Sequence, residues 1–206
     1  MNSISSASLI NDKIKEIKQS FRLMMDGSVA QSMREKGVDY HLNWGATLPR
    51  LREKAEEIGQ NYDLAIALWK ENVRECKILA TMTMPPTEIL PEVVDIWMEQ
   101  TETIEMAEQA AMNLYQYLPY APMKAYEWIA SDKTMYQLCG FHVLSRLFMN
   151  GQEPNERGIN EFLDQTHVAI LSPNITVRKA ALNALNHFSS LGLVYERLAD
   201  SIFRRL

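Results

Sequence analysis

The chain is poor in several things, and each scarcity excludes a class of protein. There are 2 cysteines in 206 residues. Cys76 and Cys139 have no CxxC neighbour and fall on apolar helical faces, so buried free thiols are expected rather than a disulfide scaffold or a thiolate metal site. The 4 histidines, His41, His142, His167 and His187, sit on separate segments without an H-x3-H pair, and no metal and no cofactor is expected. Glycine and proline number 8 each and mostly lie between apolar-periodic runs, Gly140 being the clearest exception. Nowhere does the pattern alternate convincingly with period two, which leaves almost no room for strands. No uninterrupted apolar run is long enough to cross a bilayer, and Met1 to Ile10 lacks the basic region and apolar stretch of a secretion signal. A cytoplasmic protein without a membrane partner is therefore expected. Positive charge is also in deficit. The formal net charge is −5, an awkward sum for holding a polyanion, although clustering on one face rather than the sum decides attraction.

What the chain does have is helical periodicity and apolar mass. With 47% hydrophobic and 23% charged residues, it can bury one sizeable core, and residues 1–206 read as a single domain. Ile10, Ile14, Ile17, Phe21 and Met24 mark an amphipathic opening helix over Leu9 to Met25, with Lys13, Lys15, Lys18 and Arg22 largely on its other faces. A second short helix starts at Ser28 and stops at Gly37. Val38 to Gly45 is a linker rich in aromatic and turn residues, and Thr47 then precedes a helix with proline in its first turn and a stop at Gly59. Asp63 opens the next helix, Asn72 is placed to cap the one after Trp69, and Pro85-Pro86 breaks the chain after Met84. Usual helix lengths give about twelve helices in all.

Related helix-turn-helix segments recur. Aligning Arg74, Gln137 and Arg178 puts Cys76, Cys139 and Ala180 in register, small residues where two helices must approach closely. The intervals are unequal, so the pattern is that of a degenerate helical repeat array.

Between Glu88 and Glu108 stand seven acidic residues and no lysine or arginine. Glu88, Glu92, Asp95, Glu99 and Glu102 step by four and three and so line one helical face; Glu105 and Glu108 continue the run. Such a face repels phosphate. The final two helices carry Arg178, Lys179, Arg197, Arg204 and Arg205 against Glu196 and Asp200, a local basic excess. Glu105 and Glu108, one turn apart, read as a solvated face without an apolar pocket to shift them. Of the tryptophans, Trp69, Trp97 and Trp128 sit where a repeat core needs large apolar bodies; Trp44, in the linker with Tyr40 and His41, has no such explanation.

Four segments carry a family resemblance. LPRLR (Leu48–Arg52) is similar to a proline-plus-LR helix start, and ALWKENVRECKILA (Ala67–Ala80) to an ALW…E-A-R-x-L-A signature. IEMAEQAAMNLY (Ile104–Tyr115) is similar to a W-D-x-C-D-Q-x-C…L-F helix, and VRKA (Val177–Ala180) to the start of V-K-K-A-x-x-W-A-L-R. Together they resemble the DNA alkylation repair family, whose members include HEAT-like helical alkylpurine DNA glycosylases. The resemblance implies an all-α, right-handed α-α superhelix of degenerate HEAT-like repeats. It also implies a catalytic aspartate on the third segment, an arginine two helices on, and tryptophans that cradle the lesion and backbone. Carried across residue by residue, the aspartate falls on Glu108 and the tryptophan one turn earlier on Ile104. The family's R-A-G-F overlays LCGF (Leu138–Phe141), replacing arginine by leucine, and in the last segment tryptophan becomes Asn183 and the nearby arginine Asn186.

Each replacement has a physical consequence. Glu108 keeps the charge but adds a methylene, and misplacing a catalytic group by ~1 Å can cost about a hundredfold in rate. Leu138 cannot donate to a phosphate, and Ile104 and Asn183 offer no flat π surface, worth ~1–3 kcal/mol per stacked base. The preferred expectation is an altered or non-catalytic member that binds DNA, or a DNA-associated partner, through its concave face, with Arg74, Lys77, Arg178 and Lys179 on phosphates. The alternatives are a working N3/N7-alkylpurine glycosylase with Glu108 as its catalytic carboxylate, and a protein-protein scaffold whose acidic stripe meets a basic partner. Oligomeric state leaves no mark in the sequence.

Overall fold

The opening amphipathic run folds as α1 (Asn2–Met24), which begins before the apolar periodicity does. A computed structural model describes residues 2–204 of the chain. Ile14, Ile17 and Phe21 are buried, as their helical spacing requires. α2 (Gly27–Glu35) starts one residue before Ser28 because Asp26 caps it, its carboxylate accepting from the N–H groups of Ser28 and Val29. α3 (Leu48–Ile58) has proline in its first turn and ends at Gly59, whose φ of 70° suits a residue without Cβ. α4 (Tyr62–Lys70) is capped by Asn61 rather than opened by Asp63.

α5 (Arg74–Thr83) departs from the expected cap. Val73, not Asn72, holds the N-cap position, and it offers no side-chain hydrogen bond. The N–H of Arg74 instead donates to the Leu42 carbonyl at 2.9 Å, so the linker supplies what a cap would have supplied. Arg74 is thus the first residue of its helix, whereas Gln137 and Arg178 lie one turn into theirs. The chain continues through α6 (Pro91–Glu99), α7 (Ile104–Asn113), a 3-10 turn at Tyr115–Tyr117, α8 (Ala121–Ile129) and α9 (Thr134–Met149). α10 (Glu156–Ile170), α11 (Ile175–Ser189) and α12 (Leu193–Phe203) complete it, making twelve α-helices and no strand among the described residues. Arg205 and Leu206 lie outside the described residues. No helix among them is long and apolar enough to cross a membrane.

The chain divides into two compact units, 1–109 and 110–206. In the first, α5 packs on α3 and α4, and α4 on α1. In the second, α9 packs on α8 and α11, and α11 also meets α10 and α12. The core of the second unit is aromatic: Phe162 lies 5.0 Å from both Phe148 and Phe188, ring centre to ring centre. The first pair is edge to face and the second tilted, and aromatic pairs of this kind add about 0.5–1.5 kcal/mol beyond area burial. Trp69, Trp97 and Trp128 are all buried, in keeping with a packing role. Cys76 and Cys139 are buried free thiols, and burial pushes the Cys76 thiol up to about 12.

The small-residue register marks close helix approach, and Gly140 shows how close. A Cβ there would stand 2.8 Å from the Ala125 carbonyl oxygen and 2.9 Å from the Ile129 nitrogen, both backbone atoms of α8. Gly140→Ala should therefore destabilise the protein by about 1–3 kcal/mol as an overpacked core, despite a helix-propensity gain of about 1 kcal/mol. Urea denaturation measures this; an unchanged or raised midpoint would show that α8 yields freely.

Candidate nucleic-acid interface

The signature ALWKENVRECKILA spans the end of α4, a tight turn and most of α5. Its charged residues are turned inward. Arg74 is 3% exposed and Glu75 0%, and they sit at the centre of a network that ties the linker after α2 to two helices. The Arg74 guanidinium makes four hydrogen bonds. Nε and Nη2 donate to the two carboxylate oxygens of Glu105 at 2.8 and 2.6 Å, and Nη1 donates to the Ala46 carbonyl at 2.9 Å and to Glu75 at 3.1 Å. Glu75 in turn accepts from the backbone N–H groups of Trp44 and Ala46 at 3.1 and 3.2 Å. Tyr40 closes the network, its hydroxyl donating to Glu105 at 2.9 Å and lying 2.7 Å from Thr103 Oγ1. Burial alone would push the guanidinium down, but the hydrogen bonds and charge of Glu105, with Glu75 beside it, hold its pKa above the usual arginine range.

This placement changes the role expected for Arg74. A guanidinium committed to two carboxylates inside the fold is an internal support, not a phosphate clamp. Lys77, one turn on, is half-buried with its Nζ 4.7 Å above the Trp69 ring, a cation–π contact. Burial holds its ammonium below the usual lysine range, with Glu102 opposing. Trp69 itself stacks on Trp97 at 4.2 Å and 4°. The cleft beside Lys77 measures about 90 Å³, well under the ~300–1,000 Å³ typical of ligand pockets.

The expected acidic stripe is broken up by the turns. Glu88 lies in the turn before α6; Glu92, Asp95 and Glu99 lie on α6; Glu102 lies in the link to α7. Glu105 is drawn into the Arg74 pair, with 18% of its side chain exposed. The four-and-three spacing is thus not carried by one helix. Glu108 is exposed on α7, yet partial desolvation and the Glu105 carboxylate hold its carboxyl above the usual range. The solvated position expected for Glu108 is therefore kept, and only the absence of any desolvation is not.

The remaining family positions lie in the second unit apart from Ile104, which is 37% exposed at the start of α7. Leu138 is 0% exposed, inside the core of its unit. Asn183 donates to Ser145 Oγ of α9 at 2.9 Å, and Asn186 is exposed on α11. Arg178 is half-buried and donates from Nη1 to the Ser172 carbonyl at 3.0 Å, closing the loop before α11. Lys179 is exposed. What sequence reasoning missed is the linker's purpose. The signal available was two adjacent charges, Arg74-Glu75, set between Val73 and Cys76 at a helix start.

Removing Arg74 leaves two carboxylates facing each other in the interior. Arg74→Met should cost about 3–5 kcal/mol of stability, read as a lower urea midpoint. A loss under about 1 kcal/mol would show that the network is dispensable.

The fold and these positions can be set beside known proteins. No curated protein matches the chain. A solved structure described as from "a new family of proteins related to the HEAT-like repeat DNA glycosylases with affinity for branched DNA structures" superposes with a TM-score of 0.81, at 18% identity, over 91% of this chain and 80% of that one. That likeness shows an all-α HEAT-like repeat fold. The family model described as DNA alkylation repair enzyme matches residues 17–190, most of the sequence, and the chain belongs to the DNA alkylation repair enzyme family.

Proposed function

We propose that this protein is a DNA-binding member of its family that no longer excises bases. The observation that carries the reading is Leu138. It occupies the position where the family resemblance puts a phosphate-directed arginine, and it is fully buried, so neither its chemistry nor its placement serves a bound strand. Ile104 and Asn183 add to this, since neither offers a ring on which a lesion could stack. Arg74 is withdrawn from the phosphate contacts, which leaves Lys179, with Arg178 and Lys77 in part, to supply them. Branched DNA is the form to test first, because the similar solved structure is described by its affinity for it.

A second reading is favoured by one observation. Glu108 keeps a carboxylate where the resemblance puts the catalytic aspartate, and desolvation with the Glu105 charge raises it above the usual range; an active glycosylase would use it in place of aspartate.

Binding to duplex and four-way-junction DNA should weaken steeply with salt. Lys179→Ala should reduce the slope of log K against log[salt] by about 0.9, the loss of one phosphate contact; a flat salt response in the parent removes DNA binding. The same preparations incubated with methylated duplex should release no N3- or N7-methylpurine above the spontaneous rate. Release that Glu108→Gln abolishes would replace the first reading by the second.

A further inference from the structure

The linker stapled to α5 also delivers Trp44 to a cavity that takes no part in the contacts above. Along α1, Asn11, Lys15, Lys18 and Arg22 recur at steps of four and three, so they share one face. That face, Trp44 and Glu71 line a cavity of about 470 Å³, within the ~300–1,000 Å³ usual for small-ligand sites. Three cations meet one carboxylate there. Lys18 and Glu71 are paired at 2.7 Å. The Lys15 side chain is 74% exposed and lies 3.4 Å from Asp12, itself exposed, and Arg22 is exposed too. Counted against both Glu71 and Asp12, the three cations leave one positive charge in excess, which an anion can balance.

The aromatic wall is prepared in advance. Trp44 is half-buried. Its N–H is held by Glu75, its carbonyl accepts from the Asp26 N–H at 3.0 Å, and its indole Nε1 is buried without an acceptor. With its main chain held and its ring half-buried, Trp44 has less freedom to lose when a base stacks on it than an exposed side chain would.

We propose that this cavity binds an unpaired nucleotide, its base against Trp44 and its phosphate between Lys15 and Arg22. The nucleotide is either free or the unpaired part of a DNA strand, and both present the same base-plus-phosphate chemistry. The inference does not rest on the proposed duplex binding, because it uses none of Lys77, Arg178 and Lys179.

Fluorescence anisotropy with labelled oligo-dT of eight residues, and calorimetry with AMP, test it on the full chain. Oligo-dT should bind, and Lys15→Glu with Arg22→Glu should weaken it about tenfold or more, since two phosphate-facing charges are reversed. Trp44→Leu should weaken it about ten- to a hundredfold through lost stacking. Thermal melts confirm folding, and the charge-reversed pair, being exposed, keeps the test open should Trp44→Leu not fold. AMP that competes with oligo-dT assigns the site to free nucleotides as well; oligo-dT binding without AMP binding assigns it to strands. Failure of both probes to bind, or oligo-dT binding unchanged in the charge-reversed pair, overturns the proposal. Lys179→Ala should leave oligo-dT binding at this cavity unaltered, which separates a failure here from a failure of duplex binding.

Discussion

A guanidinium taken out of water between two carboxylates is the constraint on which the first unit depends. Desolvating charges costs several kcal/mol per ion, and the attraction between them offsets this only when the remaining donors and acceptors are satisfied. Arg74, Glu75 and Glu105 meet that condition by recruiting the backbone of the linker. The Ala46 carbonyl accepts from Arg74, and the Trp44 and Ala46 N–H groups donate to Glu75. The linker is therefore held by charge and hydrogen bonds as well as by the burial of Ala46. A segment between α2 and α3 that has no regular structure of its own becomes a rigid wall, with Tyr40 locked against Glu105 at one end and Gly45 pressed on the Asp26 carbonyl at the other.

The two units solve the same packing problem by different means. The second is held by rings and close backbone approach: four phenylalanines from α9, α10 and α11 meet edge to face or tilted, and Gly140 lets α9 touch the backbone of α8. The first combines an ordinary apolar core, Leu51, Leu64, Leu68 and Leu79 being wholly buried, with the charge network and the Trp69–Trp97 stack. Lys77 lies over that stack, so a residue of the same helix as Arg74 is also held by internal contacts. Charge has moved inward on α5, and the cationic surface of this unit is correspondingly thinner.

That inward movement bears on function. Family membership brings the HEAT-like scaffold, while the chemistry of the family depends on side chains that reach a bound strand. At Leu138 the scaffold offers an apolar side chain to its own core, and at Asn183 it offers an amide to Ser145. Glu108 alone among the transferred positions keeps a charge, and partial desolvation, with Glu105 one turn away, shifts its carboxyl upward.

The sequence by itself determined the local features. Period and capping chemistry act within a turn or two, so the number of helices, the absence of strand, the proline start of α3 and the buried state of Cys76, Cys139, Trp69, Trp97 and Trp128 could be read directly. The four signature segments likewise placed the chain in its family. Only the tertiary structure decided what the charges do. Arg74 and Glu105 are 31 residues apart, and no periodicity says that they meet. The acidic run looked continuous because its spacing is helical, yet a turn and a link divide it between α6 and α7. Trp44 came to line a cavity only when α1 and the linker came together around it. Local spacing fixes which face a residue occupies, but the neighbour on that face belongs to a distant part of the chain, and charge is defined by its neighbours.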